Sequence, residues 1–176
     1  MNIYFCGLIG SGKTTIGTEL ARELNLGFLD LDQVMDSRLG YSFHKLVAEQ
    51  GWLSFRELEY SIMKYFAEQD RTVVCLGGGT VRYEWNNDAI RGTGPVILLN
   101  VPIETIIDRI RDNDRPRVNP GTDLAKDLEI MWTRDRHKYF DAADIVYDCA
   151  GRSLEEELKE LKELILTDAR FAGLRP

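Results

Sequence analysis

The stretch CGLIGSGKTT, Cys6–Thr15, decides how this sequence is interpreted. It follows the apolar run Ile3-Tyr4-Phe5, which has the character of a buried strand. It contains three glycines, and a lysine and two threonines come directly after them. Residues 13–25 then carry apolar side chains at the spacing of one helix face. The local order is therefore a strand, a glycine-rich turn and an amphipathic helix.

The spacing from Gly7 to Thr14 matches the phosphate-binding loop G-x-x-x-x-G-K-[ST], or P-loop. Glycines let the backbone N–H groups point at phosphate oxygens, and the following helix adds its unpaired N–H groups and positive dipole end. Lys13 supplies a charge for the β- and γ-phosphates, and the Thr14 hydroxyl can ligate Mg²⁺ that bridges them. A purely structural turn would not need a lysine and a threonine at these two places. We therefore expect a nucleoside triphosphate on the loop residues Gly10, Ser11, Gly12, Lys13, Thr14 and Thr15.

The overall composition limits the classes of partner. The chain has 176 residues, which suits one domain, and its formal net charge is -7. An acidic chain lacks the basic face that nucleic acids and anionic membranes require, so we expect small-molecule partners instead. No apolar run has the length of a membrane span, and the N-terminal residues lack the pattern of a signal peptide. We expect a cytoplasmic monomer.

The three cysteines, Cys6, Cys75 and Cys149, are odd in number and widely spaced. Such a set predicts neither a disulfide framework nor a metal site. Reduced cysteines in the core of a cytoplasmic protein are the expected state.

Short apolar segments alternate with segments of helical period along the chain. The predicted strands cover residues 3–6, 28–31, 72–76, 95–101 and 144–148. The predicted helices cover residues 13–25, 55–69, 103–111 and 124–138, and a last one begins with a capping box at Ser153. Almost continuously apolar strands are typical of a parallel sheet covered on both faces. The alternation predicts an α/β fold with right-handed crossovers.

One segment interrupts this alternation. Residues 112–123, DNDRPRVNPGTD, include two prolines and a glycine and almost no apolar side chain. The composition fits a plain surface loop. It also fits a mobile lid over an anionic ligand, because Arg115 and Arg117 lie in it.

Four further features concern the acceptor of a phosphoryl group. Asp30 and Asp32 alternate at the carboxyl end of the second strand, where α/β proteins bind ligands, although one of them can cap the next helix. Arg56 and Glu59 are three residues apart and share a helix face, which can equally be a weak surface ion pair.

The other two features are a glycine run and an arginine pair. Gly77, Gly78 and Gly79 follow the third strand, where they permit a close approach to the backbone or form a bare turn. Arg134 and Arg136 lie near the end of a helix, shortly before Tyr139.

Taken in this order, the P-loop, LDLD at 29–32, GWLSFRELE at 51–59, the triple glycine and Arg-Pro at 115–116 resemble the shikimate kinases. The resemblance extends from residue 1 to about residue 150. It implies one domain with a P-loop, nucleoside-monophosphate-kinase-like fold: a three-layer α/β/α structure with a five-stranded parallel sheet. It also implies a mobile lid at about 112–123 and a substrate-binding helical segment at about 32–62. The implied activity is ATP- and Mg²⁺-dependent phosphorylation of the 3-hydroxyl of shikimate, in aromatic amino-acid biosynthesis.

The resemblance also implies roles for single residues. Asp32 matches the acid that holds the substrate hydroxyls and can accept the proton of the attacking one. Asp30 matches the acid near Mg²⁺, acting through its waters. Arg56 matches the arginine that clamps the carboxylate, and Glu59 the acid that orients this arginine or a ring hydroxyl.

For the remaining positions, Gly77–Gly79 match the glycines along the substrate ring. Arg115 matches the lid arginine which, with Lys13, stabilises charge on the transferring group. Arg109 or Arg111 lies where the family places an arginine against adenine.

The sequence departs from the family pattern near Tyr139. The family usually has an arginine four residues before this tyrosine, where Asp135 stands here. Arg136 is the favoured second contact to the carboxylate, with Arg134 as the alternative. Two rival functions are open: a related kinase with gluconate or a nucleoside monophosphate as acceptor, and a domain that binds shikimate without turnover.

Overall fold

The computed structural model describes residues 1–111 and 116–174 of the chain. Within them, five parallel strands form one sheet in the order β2-β3-β1-β4-β5. The strands are β1 Ile3–Cys6, β2 Gly27–Asp30, β3 Thr72–Cys75, β4 Val96–Asn100 and β5 Ile145–Asp148. The predicted five-stranded parallel sheet is confirmed, and each predicted strand boundary lies within one residue of the observed one.

Helices flank this sheet. They are α1 Lys13–Leu24, α2 Leu31–Leu39, α3 Phe43–Ala67, α4 Glu84–Ile90, α5 Ile103–Ile110, α6 Leu124–Ala142 and α7 Leu154–Thr167. Short 3-10 turns cover Thr80–Arg82 and Ala169–Leu174. All residues of β1 and β3 are buried, as expected for central strands that are covered on both faces. The fold is therefore the predicted three-layer α/β arrangement.

The structure corrects the interpretation of residues 30–32. Strand β2 ends at Asp30, and Asp32 lies in the first turn of α2 rather than on the strand. Asp30 is the N-cap of this helix, because its carboxylate accepts a hydrogen bond from the Gln33 amide at 3.2 Å. The argument from strand alternation is therefore wrong, although both acids do lie at the carboxyl edge of the sheet.

Helix α3 starts earlier than predicted, at Phe43, and its path is broken at Gly51, where φ is 81° and ψ is 177°. The break separates a first segment of the helix from the one that carries Arg56 and Glu59. The change of direction gives these two side chains a different orientation from those of the first segment.

The described residues contain no helix that is both long enough and apolar enough to cross a bilayer. Cys6, Cys75 and Cys149 are buried free thiols. Burial raises the pKa of the Cys6 and Cys149 thiols to about 12.

The capping box of α7 offers a direct test of the fold. The Ser153 hydroxyl accepts a hydrogen bond from the Glu156 amide, and the Glu156 carboxylate accepts one from the Ser153 amide. We expect Ser153→Ala to lower the free energy of unfolding in urea by about 1 kcal/mol. Ser37, which is exposed in the last turn of α2, is the control, since Ser37→Ala should change this free energy by less than about 0.5 kcal/mol. Equal effects in the two variants would contradict the capping role.

Candidate active site

The phosphate loop joins β1 to α1. Its last glycine, Gly12, is the N-cap of α1 with φ of 90°, a conformation that glycine adopts at little cost. Among the described residues no side chain caps this helix. The N–H groups of its first turn therefore remain available for an anion.

Lys13 folds back over the loop. Its Nζ donates hydrogen bonds to the carbonyl oxygens of Gly7 at 3.0 Å and Leu8 at 2.8 Å. Burial is the largest influence on this group and lowers the pKa of Lys13, while the carboxylates of Asp32 and Asp30 act in the opposite direction. The loop thus holds a buried cation with two acids close to it.

Thr14 and Asp30 form the part of the site that suits a metal. The Thr14 hydroxyl donates a hydrogen bond to the Asp30 carboxylate at 2.7 Å, and Thr14 is exposed to the cavity side of the loop. In the described part of the chain, no group of three or more His, Cys, Asp or Glu side chains could hold a metal by itself. One hydroxyl and one carboxylate fit Mg²⁺, which takes few protein oxygens and completes its shell with phosphate and water.

A cavity of about 460 Å³ opens over this loop, and we call it the phosphate-loop cavity. Predicted nucleotide and metal residues that line it are Gly10, Gly12, Lys13, Thr14, Thr15, Asp30 and Arg109. The guanidinium of Arg109 donates to the Gly10 carbonyl at 3.2 Å. The Arg111 guanidinium pairs instead with Asp108 and does not line the described cavity, so the structure favours Arg109 of the two.

The sequence interpretation missed one wall of this cavity. It is lined by Arg152, from the segment between β5 and α7, and by Leu154 and Glu157, from the start of α7. The available signal was topological, because everything that follows a parallel strand starts at the carboxyl edge where the P-loop lies.

A second, smaller cavity of about 90 Å³ adjoins the first, and we call it the arginine cavity. Predicted substrate-binding residues that line it are Asp32, Arg56, Glu59, Gly77, Gly78 and Gly79. Ile9, Asp32, Gly77 and Gly78 line both cavities. Asp32 thus lies at the junction between the two.

Arg56 and Glu59 form a buried ion pair rather than a surface one. Arg56 Nη1 and Glu59 Oε2 are 2.7 Å apart, with side-chain exposures of 11% and 1%. Glu59 also accepts hydrogen bonds from the Thr80 hydroxyl at 2.7 Å and the Asn86 amide at 2.9 Å. Neither of these last two residues was predicted, because they come from a turn and a short helix more than twenty residues away.

The pair leaves Arg56 ready for an anion. Its Nε is buried and has no hydrogen-bond partner among the described residues. Its guanidinium carbon lies 4.5 Å from the centre of the Tyr83 ring and 4.7 Å from that of Phe55. Glu59 therefore orients Arg56, while one N–H remains for a ligand.

The glycine turn after β3 is closely approached by another segment of the protein, the phosphate loop. A Cβ on Gly78 would lie 2.8 Å from the backbone nitrogen of Ile9, so only glycine fits there. The Tyr139 hydroxyl donates to the Gly78 carbonyl at 2.6 Å and fixes the turn from the other side. The phosphate loop and the glycine turn are therefore packed directly together.

The candidate arginines of α6 lie outside the arginine cavity. Arg136 is exposed, and its guanidinium carbon lies 5.9 Å from the centre of the Phe140 ring. Arg134 is exposed too and pairs with Asp135 at 2.8 Å. Neither is among the described residues that line the cavity. The structure does not bring the predicted second carboxylate contact into the site.

The described part of the predicted lid borders the arginine cavity. Arg115 lies outside the described residues, so its role stays a prediction from the resemblance. Pro116 and Val118 line the cavity, and the Val118 amide donates to the buried Asp127 carboxylate at 2.9 Å. The Trp52 indole donates to the Arg117 carbonyl at 3.3 Å.

This arrangement places a phosphate-binding loop next to a second cavity that contains an arginine, which is compatible with a P-loop kinase. Comparison with known proteins gives the family. The family model "Shikimate kinase" matches residues 9–166. The chain belongs to the shikimate kinase family.

Individual relatives can be aligned with this chain along nearly its whole length. A shikimate kinase of Salinibacter ruber is 35% identical over an alignment of 181 residues. The alignment covers 98% of this chain and 88% of that protein. One of Aquifex aeolicus is 31% identical and covers 95% of each chain. The solved structure of shikimate kinase from Acinetobacter baumannii, in complex with shikimate, has a TM-score of 0.87 and 25% identity, covering 96% of this chain and 94% of that one.

We expect Glu59→Gln to lower the stability of the protein. The variant removes the charge that neutralises buried Arg56, so the free energy of unfolding in urea should fall by about 3 kcal/mol. Glu49→Gln is the matched control on the same helix, because Glu49 is exposed and lies 3.8 Å from Lys45. Its change should stay below about 0.5 kcal/mol. Similar losses in both variants would contradict the role of Glu59.

Proposed function

We propose that the protein transfers the γ-phosphoryl group of ATP to the 3-hydroxyl of shikimate and forms shikimate 3-phosphate. The observation that carries the proposal is the junction of the two cavities at Asp32, Gly77 and Gly78. A phosphate tail on the P-loop and a hydroxylated acid beside Arg56 would meet there. Membership of the shikimate kinase family supports this choice of acceptor.

Arg56 recognises the carboxylate of the acceptor. Its Nε lacks a partner among the described residues, and Glu59 holds its other end. A guanidinium matches the planar geometry of a carboxylate with parallel hydrogen bonds, which an ammonium group cannot do. The neutral ring of the acid would lie toward Gly77–Gly79, with its hydroxyls toward Asp32.

Asp32 aligns the attacking hydroxyl and accepts its proton. It lies in the first turn of α2 and faces both cavities. A Cβ on Gly77 would be 3.6 Å from Asp32 Oδ1, which shows how close the carboxylate lies to the glycine turn. A carboxylate at this point can hydrogen-bond a substrate hydroxyl in line with the transferred group.

Lys13 and the first turn of α1 stabilise charge on the transferring group. The Lys13 ammonium now bonds to the carbonyls of Gly7 and Leu8, and a bound phosphate would offer it stronger, charged acceptors. Positioning and electrostatics supply most of the acceleration in phosphoryl transfer, and covalent chemistry little.

Mg²⁺ fits beside Thr14 and Asp30. The Thr14 hydroxyl would bind it directly, and Asp30 would contact its waters. When bound, the ion neutralises charge on the β- and γ-phosphates. Binding the ion would leave both hydrogen bonds of Asp30 in place, because the Thr14 oxygen can use a lone pair for the ion while its proton stays on one Asp30 oxygen, and the other Asp30 oxygen caps α2.

The cellular context and oligomeric state are also proposals. Buried free thiols suit the reducing cytoplasm, and no membrane or nucleic acid is needed for the reaction. We propose that the protein acts as a monomer.

The first test is a coupled assay for ADP release with Mg²⁺-ATP and a panel of acceptors. We expect ADP to form with shikimate, but not with gluconate or nucleoside monophosphates, because only shikimate presents a ring carboxylate to Arg56 and a hydroxyl to Asp32. If ADP formed only with another acceptor, the protein would be a kinase for that acceptor and not for shikimate. Calorimetric binding of shikimate without ADP would favour the domain that lacks turnover.

The second test concerns Asp32. We expect Asp32→Asn to lower kcat with shikimate by roughly 10²- to 10⁴-fold, since the amide keeps the shape but cannot accept the proton. Steady-state kinetics would measure this, with Asp141→Asn as the control. Asp141 is exposed on α6, so its variant should keep the parental kcat. A loss below about tenfold in Asp32→Asn would argue against proton transfer to this carboxylate.

A further inference from the structure

We propose that Arg82 is the second guanidinium that binds the acceptor's carboxylate, and that Asp135 positions it. The inference deepens the proposed function and rests on it for the identity of the acceptor. The sequence suggested Arg136 on α6 as the second contact to the carboxylate. The proposal gives this role to Arg82, in the turn after β3.

Arg82 shares the arginine cavity with Arg56. It ends the short 3-10 turn Thr80–Arg82 and lines the cavity, although its side chain is only 5% exposed. Its guanidinium carbon lies 5.7 Å from the centre of the Tyr83 ring, and that of Arg56 lies 4.5 Å from the same ring. Two buried guanidinium groups therefore converge on one small cavity.

The hydrogen bonds of Arg82 to the described residues do not use all of its N–H donors. Nε donates to the Gly79 carbonyl and Nη1 to Asp135, each at 3.3 Å. Nη2 makes no hydrogen bond to any described residue, and it lies 2.5 Å from the position that a Cβ on Gly79 would take. The spare donor thus lies along the glycine turn that forms the cavity wall.

The pattern repeats that of Arg56. In both cases a buried carboxylate binds one end of the guanidinium, Glu59 for Arg56 and Asp135 for Arg82. In both cases at least one N–H has no partner in the described part of the chain. Two guanidinium groups with spare donors form a site for a carboxylate, because each ionic hydrogen bond is stronger than a neutral one.

The charges around Asp135 favour an anion in the cavity. Its carboxylate forms salt bridges with Arg82, Arg134 and Lys138, with nitrogen-to-oxygen distances of 3.3, 2.8 and 3.2 Å. Burial alone would raise the pKa of Asp135, but the hydrogen bonds from these cations lower it to about 2. One ionised acid thus faces three cations, so Arg82 is only partly neutralised. Asp135 does not line the cavity, which makes it a positioning residue.

The experiment compares two ligands in two arginine variants. Isothermal titration would measure the affinity of the whole chain for shikimate and for the neutral analogue in which CH₂OH replaces the carboxylate. We expect Arg82→Gln to weaken shikimate binding roughly 10- to 100-fold, because a charged hydrogen-bond donor is lost. Binding of the neutral analogue should change by less than about threefold.

Arg91→Gln is the matched control. Arg91 is exposed and pairs with Asp88, and it lines neither the phosphate-loop cavity nor the arginine cavity. We expect parental affinity for both ligands. Arg82→Lys, which keeps the charge near Asp135, guards against misfolding and should retain part of the preference for shikimate. Thermal unfolding of each variant would verify that it folds.

The outcomes separate the proposals. Equal weakening of both ligands in Arg82→Gln, or unchanged shikimate binding there with a loss in Arg136→Gln, would overturn the role of Arg82 alone. Parental protein that binds no shikimate would overturn the acceptor assignment as well. Parental protein that binds shikimate with the predicted preference, but forms no ADP, would overturn the proposed kinase activity and support Arg82.

A double-variant cycle tests Asp135. We expect Asp135→Asn to weaken shikimate binding less than Arg82→Gln does and to spare the neutral analogue. The double variant should bind shikimate no more weakly than Arg82→Gln alone, because Asp135 acts through Arg82. Additive losses would show that Asp135 acts independently and would overturn its positioning role.

Discussion

The parallel pairing of β1 with β3 is the constraint on which both cavities depend. The register sets Phe5 beside Cys75, so the phosphate loop and the glycine turn leave the sheet next to each other. The absence of a side chain at Gly78 lets the Ile9 backbone lie against the turn. The two cavities therefore share a wall, and a triphosphate and an acceptor can meet without a change of fold. Phosphoryl transfer depends on this kind of alignment more than on any single reactive group.

Buried carboxylates make the acceptor side possible. A guanidinium in a protein interior is unfavourable unless an acid neutralises it and its donors are satisfied. Glu59 does this for Arg56 and is itself held by Thr80 and Asn86. The network fixes the arginine in one orientation before any ligand arrives, so less conformational freedom is lost on binding. The orientation of Arg56 thus depends in part on Thr80 and Asn86, which do not line the arginine cavity.

The sequence predicts the sheet well and the acceptor site less completely. Strands such as β1 and β3 are apolar throughout because both faces are buried, and that pattern is visible in one dimension. Helices α2 and α4 are short and polar, and α2 depends on a side-chain cap from Asp30, so periodicity alone does not reveal them. The partner of Arg82 lies 53 residues away, at Asp135. Which face of α6 points inward depends on its packing, which spacing along the chain cannot specify.

The charge of the protein and the charge of its site follow different rules. The chain carries a formal charge of -7, which acts against anionic ligands at long range, but salt screens such fields over about 10 Å. Lys13, Arg56 and Arg82 are largely buried, where a short contact with an anion is much stronger than in water. We therefore propose that anion affinity comes from these few shielded cations, although each has carboxylates close to it. An acidic composition is unfavourable for binding polyanions that need a wide basic face, and it is compatible with a small phosphorylated or carboxylated ligand.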